Sequence, residues 1–181
     1  LSYMKGFAQS FIIYYCIPFK NFRMRRLYAQ FLIPGSLAFD VGSHLGNRIP
    51  VWRSLGAKVV ALEPNRQCFA FLKLLYGNKE KVLLIDHALG ANSGKAVLYT
   101  DPGNPTLSTL STEWIESVKT SGPFQSINWS ERGETTMTTL DDMIRTHGRP
   151  DFCKIDVEGY EYEVLSGLSV PLPALSIEYL P

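Results

Sequence analysis

The sequence is poor in several things that would assign it to other classes. It holds three cysteines (Cys16, Cys68 and Cys153), far apart, with no CxxC pair and no Cys/His spacing. That argues against a disulfide frame and a zinc site, and the thiols read as reduced core groups of a cytoplasmic protein. No run of 18 apolar residues occurs, so no transmembrane segment is expected. Neither sign of charge is in excess: 18 Lys and Arg face 17 Asp and Glu, a net +1, which gives no support to a nucleic-acid-binding surface. Internal repeats and low-complexity tracts are missing too. What is present is ordinary globular composition, 45% hydrophobic and 19% charged over 181 residues. A chain of that length buries a core without metal or disulfide support.

The first 35 residues differ from the rest. They carry Lys5, Lys20, Arg23, Arg25 and Arg26 and no acid, a local +5 that leaves −4 for residues 36–181. The apolar run Phe7–Phe19 has basic residues on both sides and no small-residue cleavage site after it, unlike a signal peptide. Residues 1–35 therefore read as a basic and apolar helical segment lying on a core, or as a lid or acidic-substrate surface. Leu1 is not methionine, so residues ahead of it are expected. Residues 36–181 read as the main domain.

That domain alternates strand and helix. Ser36–Val41, Lys58–Glu63, Lys81–Asp86, Asp151–Asp156 and Ala174–Tyr179 are short apolar runs with the character of buried strands. Between them, Asn47–Leu55 places Val51, Trp52 and Leu55 on one helical face. Asn65 caps a helix whose apolar positions are Cys68, Phe71, Leu72, Leu75 and Tyr76. Thr139 and Asp142 resemble a capping box opening a helix with Leu140, Met143, Ile144 and His147 on one face, and Tyr160–Leu165 is a further helix. Lys95–Thr100 and Glu134–Thr139 form an extra hairpin insertion around a polar stretch of loop and possible helix. Crossovers of this length predict a doubly wound α/β fold: a mostly parallel Rossmann-like sheet, order 3-2-1-4-5, with helices on both faces.

In such sheets ligands bind beyond the carboxyl ends of the strands. The first end reads Asp40-Val41-Gly42-Ser43-His44-Leu45-Gly46-Asn47. Its glycines are spaced G-x-x-x-G, not G-x-G-x-x-G. Asp40 just ahead of them would repel a pyrophosphate and attract an ammonium or sulfonium, which favours S-adenosylmethionine over NAD. Glu63 follows Gly42 by 21 residues, near the offset at which an acid pairs with ribose hydroxyls. The third strand ends in Asp86-His87, where a polar group can reach an adenine amino group. Each signal also has a structural reading: a glycine turn for packing, an acid solvated in a loop.

The segments FDVGSHLGN, ALEPN, DHALG, TTLDD and above all KIDVEGYEYEVLSG resemble the FkbM-type S-adenosylmethionine-dependent methyltransferases, from Ile33 to about Glu178. The resemblance implies a class I, Rossmann-like methyltransferase domain acting on an acceptor hydroxyl of a small molecule or glycan. It places the cofactor against Asp40, Gly42, Ser43, His44, Gly46 and Asn47, with Glu63 at the ribose, Asp86 and His87 at adenine, and Asp156 at the methionine end. Members carry small residues where this chain has Ser43-His44, so His44 is either a cofactor contact or a helix-entry residue. Candidate bases are Asp156, Glu158, His87 and Glu178. Asp156 has an equal second reading, orienting the cofactor without proton transfer, and Glu158 has one as the cap of the helix at Tyr160. No metal is required by the spacing, although Asp156, Glu158 and Glu178 could hold magnesium.

Two other classes remain open: a nicotinamide-dependent oxidoreductase, and a catalytically silent cofactor-binding or assembly domain. The fold implied by the resemblance has two further strands beyond the one at Ile177-Glu178. The edge of Ala174–Tyr179 is therefore expected to be covered, by residues beyond Pro181 or by a second copy in a homodimer.

Overall fold

A computed structural model describes residues 20–101, 103–120 and 127–178. The run Phe7–Phe19 with Cys16, and Tyr179 at the end of the last expected strand, lie outside them. The chain runs α1 (Lys20–Tyr28), β1 (Leu37–Val41), α2 (Ile49–Ser54), β2 (Lys58–Leu62), α3 (Arg66–Tyr76), β3 (Val82–Ile85) and β4 (His87–Leu89). It continues β5 (Gly94–Asp101), β6 (Asn104–Thr109), α4 (Thr112–Thr120), β7 (Glu131–Thr138), α5 (Leu140–His147), β8 (Phe152–Ile155), α6 (Glu161–Ser166) and β9 (Leu175–Ile177).

The main sheet is parallel, in the order β3-β2-β1-β8-β9, which is the expected 3-2-1-4-5. Successive residues of its central strands enter opposite cores, as the two-residue repeat of a strand requires. Ala38, Val59, Ala61 and Phe152 pack with Trp52, Ile49, Leu72 and Tyr76 of α2 and α3. Tyr28 and Leu32, from α1 and the turn after it, join that layer, and Tyr28, Trp52 and Phe152 meet edge to face. Phe39, Val41, Val60, Leu62, Cys153 and Ile155 face the other way, onto Leu140, Met143 and Val164 of α5 and α6. With both faces covered, the strands read as continuous apolar runs.

Local signals set the helix ends. The Asn65 side chain accepts from Gln67 N–H and Cys68 N–H, and Cys68, Leu72 and Tyr76 bury the inward stripe of α3. At α5 only half of the expected box forms. Thr139 Oγ1 accepts from Asp142 N–H at 3.0 Å, while the Asp142 carboxylate accepts a hydrogen bond from the Ser93 hydroxyl and pairs with Arg145.

The expected hairpin is larger than a hairpin. Strand β3 stops at Ile85, and after Asp86 the chain enters a second, four-stranded sheet, β4-β7-β5-β6. β5 pairs antiparallel with both β6 and β7, and β7 pairs parallel with β4. Helix α4 fills the place of the possible helix. This sheet and α4 roof the carboxyl ends of β1, β2 and β8. β9 pairs with β8 alone among the described residues, and Leu175 and Ile177 are exposed. No described helix is long and apolar enough to cross a membrane.

Candidate functional site

The turn after β1 is held in a shape few side chains allow. Gly42 (φ 71°), His44 (φ 50°) and Gly46 (φ 76°) all have left-handed backbone. At Gly42 a Cβ would lie 1.8 Å from the Asp156 carbonyl oxygen, so only glycine lets the β1 and β8 ends come this close. The Ser43 hydroxyl donates to the Asp40 carbonyl at 2.7 Å and braces the turn from within. Glu63 staples the turn to α3: Oε2 accepts from His44 N–H at 2.8 Å and Oε1 from Asn65 N–H at 2.9 Å. Burial, outweighing those two bonds, pushes its pKa up to about 7.

Beneath the turn lies a buried charge network. The parallel register sets Asp40 beside Lys154. The Lys154 ammonium stands 2.9 Å from Asp156 Oδ2 and 3.6 Å from Asp40 Oδ1, and donates to the Gly42 carbonyl at 2.8 Å. Arg48 approaches Asp156 from the other side at 3.8 Å, with its Nε donating to the Tyr28 hydroxyl at 3.3 Å. Burial works to raise the Asp156 pKa, but Lys154, together with hydrogen bonding from Glu178, holds it below the usual carboxylate range. Asp40 is fully enclosed, and burial raises its pKa against the pull of Lys154. Glu178 is raised to about 7, first by its bond to Asp156 and then by burial. Glu158 is raised to about 8 by burial and by the charges of Asp156, Glu178 and Glu161.

Above the network is a cleft of about 440 Å³ counting its open mouth. Gly42, His44, Glu63, His87 and Asp156 line it, drawn together from four strand ends. Asp40 and Ser43 lie below the wall, and Gly46 packs against Leu72 of α3. Asn47 turns its amide oxygen to Arg48. Asp86 is exposed at the rim, 3.3 Å from His87 Nδ1.

The roof contributes Leu98, Ser108, Thr109 and Leu110, which no motif in the sequence singles out. The Thr109 hydroxyl donates to the Glu158 carbonyl at 2.7 Å, and Trp114 lies so close over Gly159 that a Cβ there would meet it at 2.3 Å. Asn65 donates to Ser108 at 2.9 Å. Arg48 is the other residue that sequence reasoning missed; at the cap of α2, just ahead of Ile49, it looks in the sequence like any solvated arginine. A wider depression, about 950 Å³ counted the same way, lies beyond Pro64 and Leu98.

A cavity with one carboxylate stapled at the β2 end and an ionised one at the β8 end suits a ligand with hydroxyls at one end and positive charge at the other. His44, Asp156 and Glu158 also gather ligand-capable atoms within 4.8 Å of one another, with His44 in the place expected of Glu178. A family model described as the methyltransferase FkbM domain matches residues 40–179. No curated protein matches the chain.

Proposed function

The chain belongs to the FkbM methyltransferase family, and on that premise we propose that it moves a methyl group from S-adenosylmethionine to a hydroxyl of a small molecule or glycan. The observation that carries the cofactor is Glu63. Each of its oxygens is held by one backbone N–H, which leaves a lone pair on each to accept from ribose hydroxyls at the cleft wall. Asp86 and His87 take the adenine side. Asp156, kept ionised by Lys154, faces the positive methionine end.

Methyl transfer is an in-line displacement on carbon, so holding acceptor oxygen and methyl carbon in near-attack geometry supplies most of the acceleration. The sulfonium loses its charge as the bond breaks, and the acceptor oxygen must lose its proton. A base works best with a pKa near the working pH. Glu158 and Glu178, at about 8 and about 7, meet that condition, while Asp156 is too acidic and acts by charge. His87 stands at the adenine end, far from this work. Residues 36–181 form the proposed catalytic domain, with 1–35 attached. The buried Cys68 and Cys153, neither in a disulfide, support a cytoplasmic setting, and the exposed β9 edge supports pairing with a further strand or a second copy.

Calorimetric titration with S-adenosylmethionine, S-adenosylhomocysteine and NADH tests the reading. The two sulfur nucleosides should bind and NADH should not. Binding of NADH with no heat from either sulfur compound would overturn it.

A further inference from the structure

Three side chains from two strand-end loops converge at the methionine end of the cleft. His44 comes from the turn after β1, and Asp156 and Glu158 from the loop after β8; one ligand-capable atom of each lies within 4.8 Å of the other two. Donors bound to one ion at about 2.1 Å stand roughly 3–4 Å apart, so a small contraction closes the set.

The state of each donor suits a ligand. Glu158 is 8% exposed, and the described residues give its carboxylate neither a hydrogen bond nor an ion pair. Its neighbours are other carboxylates: Asp156, Glu178 and Glu161. The nearby cations are engaged elsewhere, Lys154 with Asp156, Asp40 and the Gly42 carbonyl, Arg48 with Asp156 and Tyr28. The His44 imidazole brings a ring nitrogen to the same point as the two carboxylates. Both His44 (φ 50°) and Glu158 (φ 55°) accept left-handed backbone, and both side chains reach the shared point.

We propose that His44, Asp156 and Glu158 form a binding site for a divalent first-row transition ion of the manganese or zinc kind. One imidazole with two carboxylates is a donor set for such ions, whereas magnesium and calcium prefer oxygen alone. The ion supplies the positive charge that Glu158 lacks. Three protein donors leave coordination positions open toward the cleft. The use of those positions, to hold the acceptor oxygen, rests on the methyltransferase reading and leaves Glu178 as the proton acceptor; the binding itself does not depend on that reading.

The test is calorimetric titration of chelator-treated protein with Mn²⁺, Zn²⁺ and Mg²⁺ in the absence of nucleoside, with Mn²⁺ spin-resonance as a second readout. One Mn²⁺ or Zn²⁺ should bind per chain, more tightly than Mg²⁺. His44→Asn, which tolerates the left-handed backbone, and Glu158→Gln should each weaken binding about tenfold or more, while Glu116→Gln on exposed α4 should not. Circular dichroism and urea midpoints show whether each variant is folded, and wild type is titrated separately with S-adenosylhomocysteine. No ion bound by folded wild type, or affinity unchanged in both variants, overturns the site. Nucleoside binding without metal binding defeats this proposal alone, and metal binding without nucleoside defeats only the cofactor reading.

Discussion

Glu63→Gln should make the protein more tolerant of high pH while taking away its cofactor. The wild-type carboxylate is 2% exposed and accepts two backbone N–H groups. Burial outweighs those bonds and moves its pKa from 4.5 to about 7. A carboxyl with a raised folded-state pKa binds its proton more tightly in the folded state, so stability falls as pH rises from about 4.5 to about 7 and is level above that. The difference corresponds to about 3 kcal/mol. Glutamine resembles the protonated acid: one acceptor oxygen, one donor, no charge and no titration. Between pH 4.5 and 8 the unfolding free energy of Glu63→Gln should therefore gain about 3 kcal/mol on wild type, measured in urea at a series of pH values. At pH 8 the same variant should bind S-adenosylhomocysteine roughly 10- to 150-fold more weakly, from about 1.5–3 kcal/mol of charge-assisted hydrogen bonding to ribose. Unchanged affinity would refute the ribose role. Parallel stability profiles would refute the claim that a charge is being forced into a dry site.

Asp156→Asn should lower kcat and kcat/KM together once an acceptor is in hand, and a rise confined to the cofactor KM would make Asp156 a binding residue. Gly42→Ala should cost about 2 kcal/mol or more, seen as a lower urea midpoint, because its Cβ would collide with the Asp156 carbonyl. Gly35→Ala, with φ 94° but open space around it, should cost only the backbone strain; equal midpoints would refute the collision. Burial pushes the Cys153 thiol up to about 12 and Cys68 well above its usual value, so neither should react with a thiol reagent until the protein unfolds. A disulfide in the native protein would contradict this.

The main sheet was legible because its signals are local. A buried parallel strand is an apolar run between helices, and Asn65 announces its helix three residues ahead of Cys68. The roof was not, because its pairings join distant residues: Val97 lies opposite Glu134, and nothing in either segment names the other. The break at Asp86 is silent for a similar reason, since Lys81–Asp86 and His87–Leu89 differ in sheet and not in composition. Asp40 shows a subtler limit. Its charge was readable, but its direction depends on the register that sets Lys154 beside it, so it acts through the network below the turn instead of on the cleft wall.

The roof is joined to the main sheet through one residue at each end, Asp86 between β3 and β4 and Thr139 between β7 and α5. β4 and β7 run parallel over three paired residues, so Asp86 enters at one end of the pair and Thr139 leaves at the other, roughly 14 Å away. The far margin of the roof carries Ser108 and Thr109, and it is fastened by the bonds to Asn65 and to the Glu158 carbonyl, with Trp114 seated on Gly159. Two of the three hold the loop of Glu158. The backbone that carries Glu158 is thereby set by the roof as much as by β8, so a disturbance at Thr109 or Trp114 reaches Glu158 without touching its side chain.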